Sequence, residues 1–73
     1  MILKKGKDGD DLLVVSMALP EAVERRLEVL GLTEGSHVLV MNNKKKGAMV
    51  VKIRGTRFAI GQKIAENITV KEV

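Results

Sequence analysis

The chain has 73 residues, with 13 Lys and Arg against 9 Asp and Glu, one histidine, one phenylalanine and no cysteine. A chain this short is expected to form one domain, residues 1–73, around one small core. The lack of cysteine excludes disulfides. The formal net charge of +4 is uneven, because residues 1–40 are slightly acidic and residues 41–73 are strongly basic. The basic half suits an acidic partner or nucleic acid, and its simplest interpretation is a solvated surface.

Apolar runs such as Leu12–Val15 are far shorter than a membrane-spanning helix. The apolar segment before Lys4 is too short for a secretory signal. We therefore expect a soluble protein of the cytoplasm that does not insert into a membrane.

The first elements follow from composition. Residues 4–11 are polar and contain two glycines, which predicts a loop. Residues 12–17 are rich in apolar and β-branched side chains, which predicts a strand buried on both faces.

A helix is predicted near residues 20–30. Pro20 suits its first turn, and Glu21 and Arg25 form a favourable pair one turn apart. Gly31 suits the position after its last turn, where a left-handed backbone is common. The apolar face is expected to contain Val23, Leu27 and Leu30.

Alternating patterns predict a hairpin after the helix. Residues 37–41 form a strand with Val38 and Val40 facing the core, and residues 42–47 form a polar turn. Residues 48–54 form the return strand. Its expected inward residues are Met49, Val51 and Ile53.

The remaining sequence predicts two more strands. Gly55-Thr56 is predicted as a two-residue type II′ turn, followed by a strand at residues 57–60 with Phe58 and Ile60 inward. Residues 62–66 predict one helical turn, and residues 67–73 predict a last strand with Ile68 and Val70 inward. About five short strands with one helix bury their apolar faces best as a small, mainly β barrel.

Three motifs stand in order along the chain: Arg25-Arg26-Leu27, Gly31-Leu32-Thr33-Glu34-Gly35 and Arg54-Gly55-Thr56-Arg57. In this order and spacing they resemble the FeoA family, small cytoplasmic accessory proteins of bacterial ferrous-iron uptake. The resemblance extends from about Gly6 to Val70. It departs from the family where basic residues often follow the last core strand, because this chain has Gly61, Gln62 and Ile64 there.

The resemblance implies an SH3-like barrel with one short helix near residues 20–30. It implies a partner, the FeoB iron transporter, which is a membrane protein with a cytoplasmic GTP-binding domain, and it implies no catalytic residues. The same barrel forms the C-terminal domain of iron-dependent repressors of the diphtheria-toxin-repressor type. Association with a transition metal ion is therefore implied for the family.

Three apolar residues, Leu39, Met41 and Val50, are expected on the outer face of the sheet. If they cluster, they form a candidate docking surface. The alternative is that the helix covers at least one of them.

Three arginines are candidate contacts to a partner. Arg54 and Arg57 flank the predicted turn as near neighbours of like charge, so they either contact an acidic partner or keep an edge strand from pairing. Arg26 is a candidate that only the resemblance suggests, and the alternative is a bond to loop carbonyls near the barrel.

His37 is the one histidine, and Glu34 is a carboxylate near it in the sequence. Transition-metal sites usually combine three or four His, Cys and carboxylate ligands. These two residues therefore allow at most a weak surface site for Fe²⁺ or another divalent metal, and no cofactor is firmly implied. The favoured interpretation of His37 is a half-exposed strand residue.

Two further functions stay open beside docking on the transporter. A small basic barrel suits nucleic acid, through Lys44, Lys45 and Lys46 among others, although Phe58 is the only aromatic on which bases could stack. The second further function is that of a stand-alone metal-responsive regulatory domain. An enzyme is least expected, because no nucleophile–base pair is apparent.

Overall fold

The computed structural model describes residues 1–44 and 47–73. Its strands are β1 (Asp11–Met17), β2 (His37–Asn42), β3 (Met49–Ile53), β4 (Thr56–Ile60) and β5 (Ile68–Glu72). They form one antiparallel sheet in the order β4-β3-β2-β1-β5. Helix α1 (Glu21–Val29) joins β1 to β2, and helix α2 (Gln62–Ala65) joins β4 to β5. The predicted five strands and helix are confirmed.

One face of the sheet forms the core. Val38 and Val40 of β2 are 0% and 1% exposed, as their alternation predicted. The inward residues predicted for β3 and β5 are also buried, and Phe58 packs against the core while half-buried. The described buried core consists of Leu3, Leu12, Val14, Leu27, Leu32, Val38, Val40, Met49, Val51, Ile53, Ile60, Ala65, Ile68 and Val70.

The prediction that β1 is buried on both faces is wrong. Leu12 and Val14 face the core, but Val15 is 45% exposed and Leu13 is only half-buried. An antiparallel sheet commonly packs one face and leaves the other to solvent. An unbroken apolar run therefore does not require burial on both sides.

Helix α1 lies where the sequence predicted it. The Pro20 carbonyl accepts the N–H of Glu24 at 3.0 Å, and Arg25 donates to Glu21 at 2.6 Å. This exposed pair adds little stability. The predicted apolar face is only partly buried, since Leu27 is 8% exposed but Leu30 is 41% exposed.

The end of α1 is a Schellman motif. Gly31 has φ +95, the Gly31 N–H donates to Glu28, and the Leu32 N–H donates to Leu27 at 2.9 Å. Leu27 and Leu32, the two positions between which an apolar contact usually accompanies this motif, both belong to the buried core. Gly31 is therefore confirmed as the residue that ends this helix.

The predicted loop at residues 4–11 begins with structure instead. Leu3–Lys5 forms a 3-10 helix, Leu3 is 0% exposed and Gly6 is buried. Ile2 pairs with Thr69 beside β5. A three-residue turn is too short to show a helical period, so the sequence pattern could not reveal it.

The β3–β4 turn also differs from the prediction. Ile53 pairs with Thr56, so the two loop residues are Arg54 and Gly55, with φ of 51 and 83. Positive φ at both positions is typical of a type I′ turn, whose twist matches that of the strands. Thr56 belongs to β4 rather than to the turn.

Residues 42–47 carry two predictions, a hairpin between β2 and β3 and a cluster of lysines at its turn. β2 and β3 do pair as an antiparallel hairpin. Lys45 and Lys46 lie outside the described residues, so the lysine cluster proposed there is not described. Over residues 1–44 and 47–73, no helix has both the length and the apolar character needed to cross a bilayer.

Candidate docking surface

The outer face of β2, β3 and β4 brings several predicted residues into neighbouring rows. Leu39 pairs with Lys52, which in turn pairs with Arg57. In the next row Val50 pairs with Ala59. Directly opposed side chains lie about 4.5–5.5 Å apart at their Cβ atoms, so apolar and cationic groups are interleaved on this face.

The three apolar candidates are all half-buried. Leu39, Met41 and Val50 are neither in the core nor fully exposed. The β2–β3 register shifts between Val40 and Asn42, which leaves Met41 in a bulge. Bulges redirect side chains at the rim of a sheet. The face thus offers a modest apolar area rather than a large patch.

The arginines are arranged differently from the prediction. Arg54 occupies the turn, so it does not oppose Arg57, and Lys52 is the cation that does. The Arg54 side chain lies against Gly31, with its Cδ 3.4 Å from where a Cβ of residue 31 would be. The turn therefore approaches the end of α1.

The cations of this face form no ion pair in the described part of the chain. Within residues 1–44 and 47–73, Lys52, Arg54 and Arg57 make no ion pair within 4.0 Å. Arg26 is exposed on α1 and, in the same part of the chain, makes no side-chain hydrogen bond. The alternative of Arg26 bonding to loop carbonyls therefore has no support in the structure.

Lys52 belongs to this face although it was not among the predicted contacts. Alternation along residues 48–54 puts Val50, Lys52 and Arg54 on the face opposite the core residues. That alternation was the signal, and only the strand pairing shows that Lys52 lies between Leu39 and Arg57.

His37 lies beside Asp11 rather than Glu34. Its Nδ1 is 3.6 Å from Asp11 Oδ1, and both side chains are exposed. Across the described ranges, no three His, Cys, Asp or Glu residues come close enough to hold a metal ion. Two exposed ligands do not fit a closed transition-metal site.

A cleft of about 660 Å³ lies between the N-terminal segment and the side chains of Asn43, Gln62 and Glu66. Asn43 donates from Nδ2 to the carbonyls of Lys4 and Gly6 at 2.8 and 2.6 Å. Its backbone N–H donates to Asp8 at 2.7 Å, while Asp10 accepts the Lys7 N–H at 2.8 Å. Asp10 thus accepts a backbone N–H of its own turn, and Asp8 accepts the backbone N–H of residue 43.

Replacing Asn43 by alanine is expected to lower the free energy of unfolding by about 1–2 kcal/mol, because two carbonyls lose their donor. Asn42→Ala is the matched control, since Asn42 is exposed and no side-chain bond is seen for it among the described residues. Urea unfolding of both variants measures the difference. Equal stabilities would show that the Asn43 bonds contribute nothing.

The geometry defines a class of protein: a small, mainly β module with an SH3-like fold whose distinctive feature is a surface of interleaved apolar and cationic groups. The FeoA domain model matches residues 1–72, and the chain belongs to the FeoA family. The predicted family and fold are thereby confirmed. No match was found among curated proteins.

Solved structures agree with this assignment. The FeoA protein of Chlorobium tepidum is 34% identical, with a TM-score of 0.92 over 100% of this chain and 70% of that one. Stenotrophomonas maltophilia FeoA complexed with zinc is 25% identical, with a TM-score of 0.82 over 97% and 89%. That protein is described as a prokaryotic SH3 domain protein and a candidate activating factor of ferrous iron transport.

The fold also occurs inside larger regulators. A manganese-dependent transcriptional repressor is 21% identical, with a TM-score of 0.90 over 100% of this chain and 41% of that one. Similarity at this identity shows the fold alone. The family is thus linked to ferrous iron transport, and its fold is shared with metal-dependent repressors.

Proposed function

We propose that this chain, acting as one FeoA-like domain, is a non-enzymatic accessory protein of ferrous-iron uptake that docks in the cytoplasm on a FeoB-type membrane transporter. The observation that carries the proposal is the outer face of β2–β4, where Leu39 and Val50 lie among cations that have no carboxylate partner in the described chain. Apolar contact supplies affinity, and unpaired surface cations favour an acidic partner.

The arginines contribute through charge. Arg57 is exposed and stands beside Lys52, so this part of the face carries two adjacent positive charges. Like charges on neighbouring strands repel each other, and a carboxylate from a partner relieves that repulsion. Arg26, on exposed α1, belongs to the proposal only through the family resemblance.

The alternatives have less support. Phe58 is the only aromatic residue and it packs against the core, which removes the stacking platform that single-stranded nucleic acid needs. A metal-responsive domain needs ligands, and His37 has only Asp11 beside it within 4.0 Å in the described chain. Docking on the iron transporter is therefore the function we favour.

Arg57→Glu is expected to weaken binding to the transporter's GTP-binding domain about tenfold, equivalent to about 1.4 kcal/mol. The control is Lys63→Glu, which changes the net charge equally at an exposed residue of α2. NMR titration of the labelled chain measures both affinities. If the unmodified chain shows no binding at tens of micromolar, or if both variants weaken it equally, the proposed surface is wrong.

A further inference from the structure

The two edges of the sheet are treated differently by the rest of the chain. β5 and β4 are the edge strands. Along β5, the Val70 N–H donates to the Met1 carbonyl at 2.7 Å and Thr69 pairs with Ile2. The N-terminal residues therefore cover part of the β5 edge, whereas no described segment bonds to the outer edge of β4.

The outer edge of β4 presents free backbone groups. In a two-residue hairpin the residues that flank the turn, here Ile53 and Thr56, form a hydrogen-bonded pair, and bonded and non-bonded pairs then alternate. Arg57 and Ala59 therefore fall in non-bonded pairs, and their N–H and C=O groups point away from β3. Outside the sheet ladder, no backbone bond of the described residues ends on either one.

These two residues are also accessible. Arg57 and Ala59 are both exposed, and Phe58 between them is half-buried. They thus offer two donors and two acceptors in line, at alternate positions of one strand. An exposed edge of this kind is a template for an added strand.

The charges near the β4 edge favour an acidic strand as its binding partner. Residues 49–60 contain Lys52, Arg54 and Arg57 but no acidic residue. A second copy of this chain would bring the same three cations against them, and like charges disfavour that pairing. An acidic strand would instead complement them.

We propose that the outer edge of β4 binds an extended acidic segment of a partner by β-strand addition, with backbone bonds to Arg57 and Ala59. Side chains of the segment on the outer face would place carboxylates beside Arg57, with Lys52 one strand further in. Those on the opposite face would meet half-buried Phe58, which favours alternating acidic and apolar residues. We take the iron transporter as the source of this segment, and in this respect the inference rests on the proposed function.

The direct probe is a blocked peptide of alternating Glu and Val, titrated into isotope-labelled protein. We expect the amide hydrogens of Arg57 and Ala59 to exchange about tenfold more slowly in the complex. A peptide of alternating Lys and Val has the same apolar pattern and opposite charge, and it should not bind. Raising the salt concentration should weaken binding of the acidic peptide, because its charge contacts are exposed to solvent.

Two variants separate the backbone from the charge. Ala59→Pro removes the outward N–H without removing a bond to β3, and proline is tolerated at such edge positions. This substitution should lower the affinity for the acidic peptide about tenfold. The Ala59→Thr variant keeps the N–H and should bind the peptide as the unmodified chain does. Should the proline variant fail to fold, Arg57→Glu supplies the test through charge, with a similar loss expected.

The transporter's GTP-binding domain, titrated separately, distinguishes the two proposals. If the domain binds but the acidic peptide does not, strand addition is overturned and docking stands. If the peptide protects Arg57 and Ala59 while the domain does not bind, strand addition stands and the transporter is the wrong partner. Protection of these amides that rises with protein concentration alone would assign the edge to a second copy and overturn the proposal.

Discussion

Replacing Leu3 by alanine is expected to lower the free energy of unfolding by about 2–5 kcal/mol. The Leu3 side chain is 0% exposed and belongs to the core, although it lies in a three-residue 3-10 helix near the start of the chain. Truncation removes buried apolar surface and leaves a cavity. A core of this size rarely supplies more than about 3–5 kcal/mol, so the variant should be close to unfolded.

The matched control is Val29→Ala, which also shortens an aliphatic side chain. Val29 is 87% exposed on α1, so its truncation should change stability by less than about 0.5 kcal/mol. Because the chain contains neither Trp nor Tyr, unfolding should be followed by far-UV circular dichroism rather than by fluorescence. Equal stability of the two variants would contradict the docking of the N-terminal segment into the core.

Gly6→Ala is expected to cost about 1–3 kcal/mol through overpacking. A Cβ at this position would lie 3.0 Å from Val40 Cγ2, 3.1 Å from the Leu3 carbonyl oxygen and 3.2 Å from Leu12 Cδ1. Gly6 has φ −63 and ψ 142, which any residue adopts. Close approach to the neighbouring side chains and to a backbone oxygen, rather than conformational freedom, requires glycine here.

Gly61→Ala is the control that separates overpacking by the added Cβ from any effect of backbone conformation. Gly61 has nearly the same backbone angles, φ −63 and ψ 149, but nothing lies within 4 Å of an added Cβ. Its replacement should change stability by less than about 0.5 kcal/mol. Thermal unfolding of both variants measures the contrast. If Gly6→Ala were as stable as Gly61→Ala, the tight contact around residue 6 would be refuted.

The elements that the sequence predicted well are those with local signals. Helix α1 combines a proline before its first turn, a Glu21–Arg25 pair and a glycine after its end, and each acts within a few residues. The alternation of Val38 and Val40 likewise reports directly on which face is buried. Such signals do not depend on which elements meet in space.

The burial of Leu3 was missed because it arises where distant segments meet. Leu3 is buried because Ile2 pairs with Thr69 and Asn43 bonds to the carbonyls that follow it. No local pattern encodes these contacts. The turn at Arg54-Gly55 was misplaced by one residue because Gly55 fits two turn types, and only the pairing of Ile53 with Thr56 decides between them.

The sequence indicated residues of the candidate surface but not which of them are cross-strand neighbours. Leu39 and Val50 lie on the outer face but are half-buried, and half-buried Met41 stands in the bulge of β2. The predicted Arg54–Arg57 pair is replaced by Lys52 beside Arg57. A shift of one residue in a hairpin changes every cross-strand neighbour, which explains why the charges were assigned to the wrong partners.

By itself, the sequence determined the mainly β class, helix α1, the inward face of each of strands β2, β3 and β5, and membership of the FeoA family through its ordered motifs. These properties follow from periodicity and capping, which are local. The tertiary structure alone decided the burial of Leu3 and Gly6, the contact of His37 with Asp11, and the open edge at Arg57 and Ala59. These depend on strand order and register, which bring together residues that are far apart in the chain.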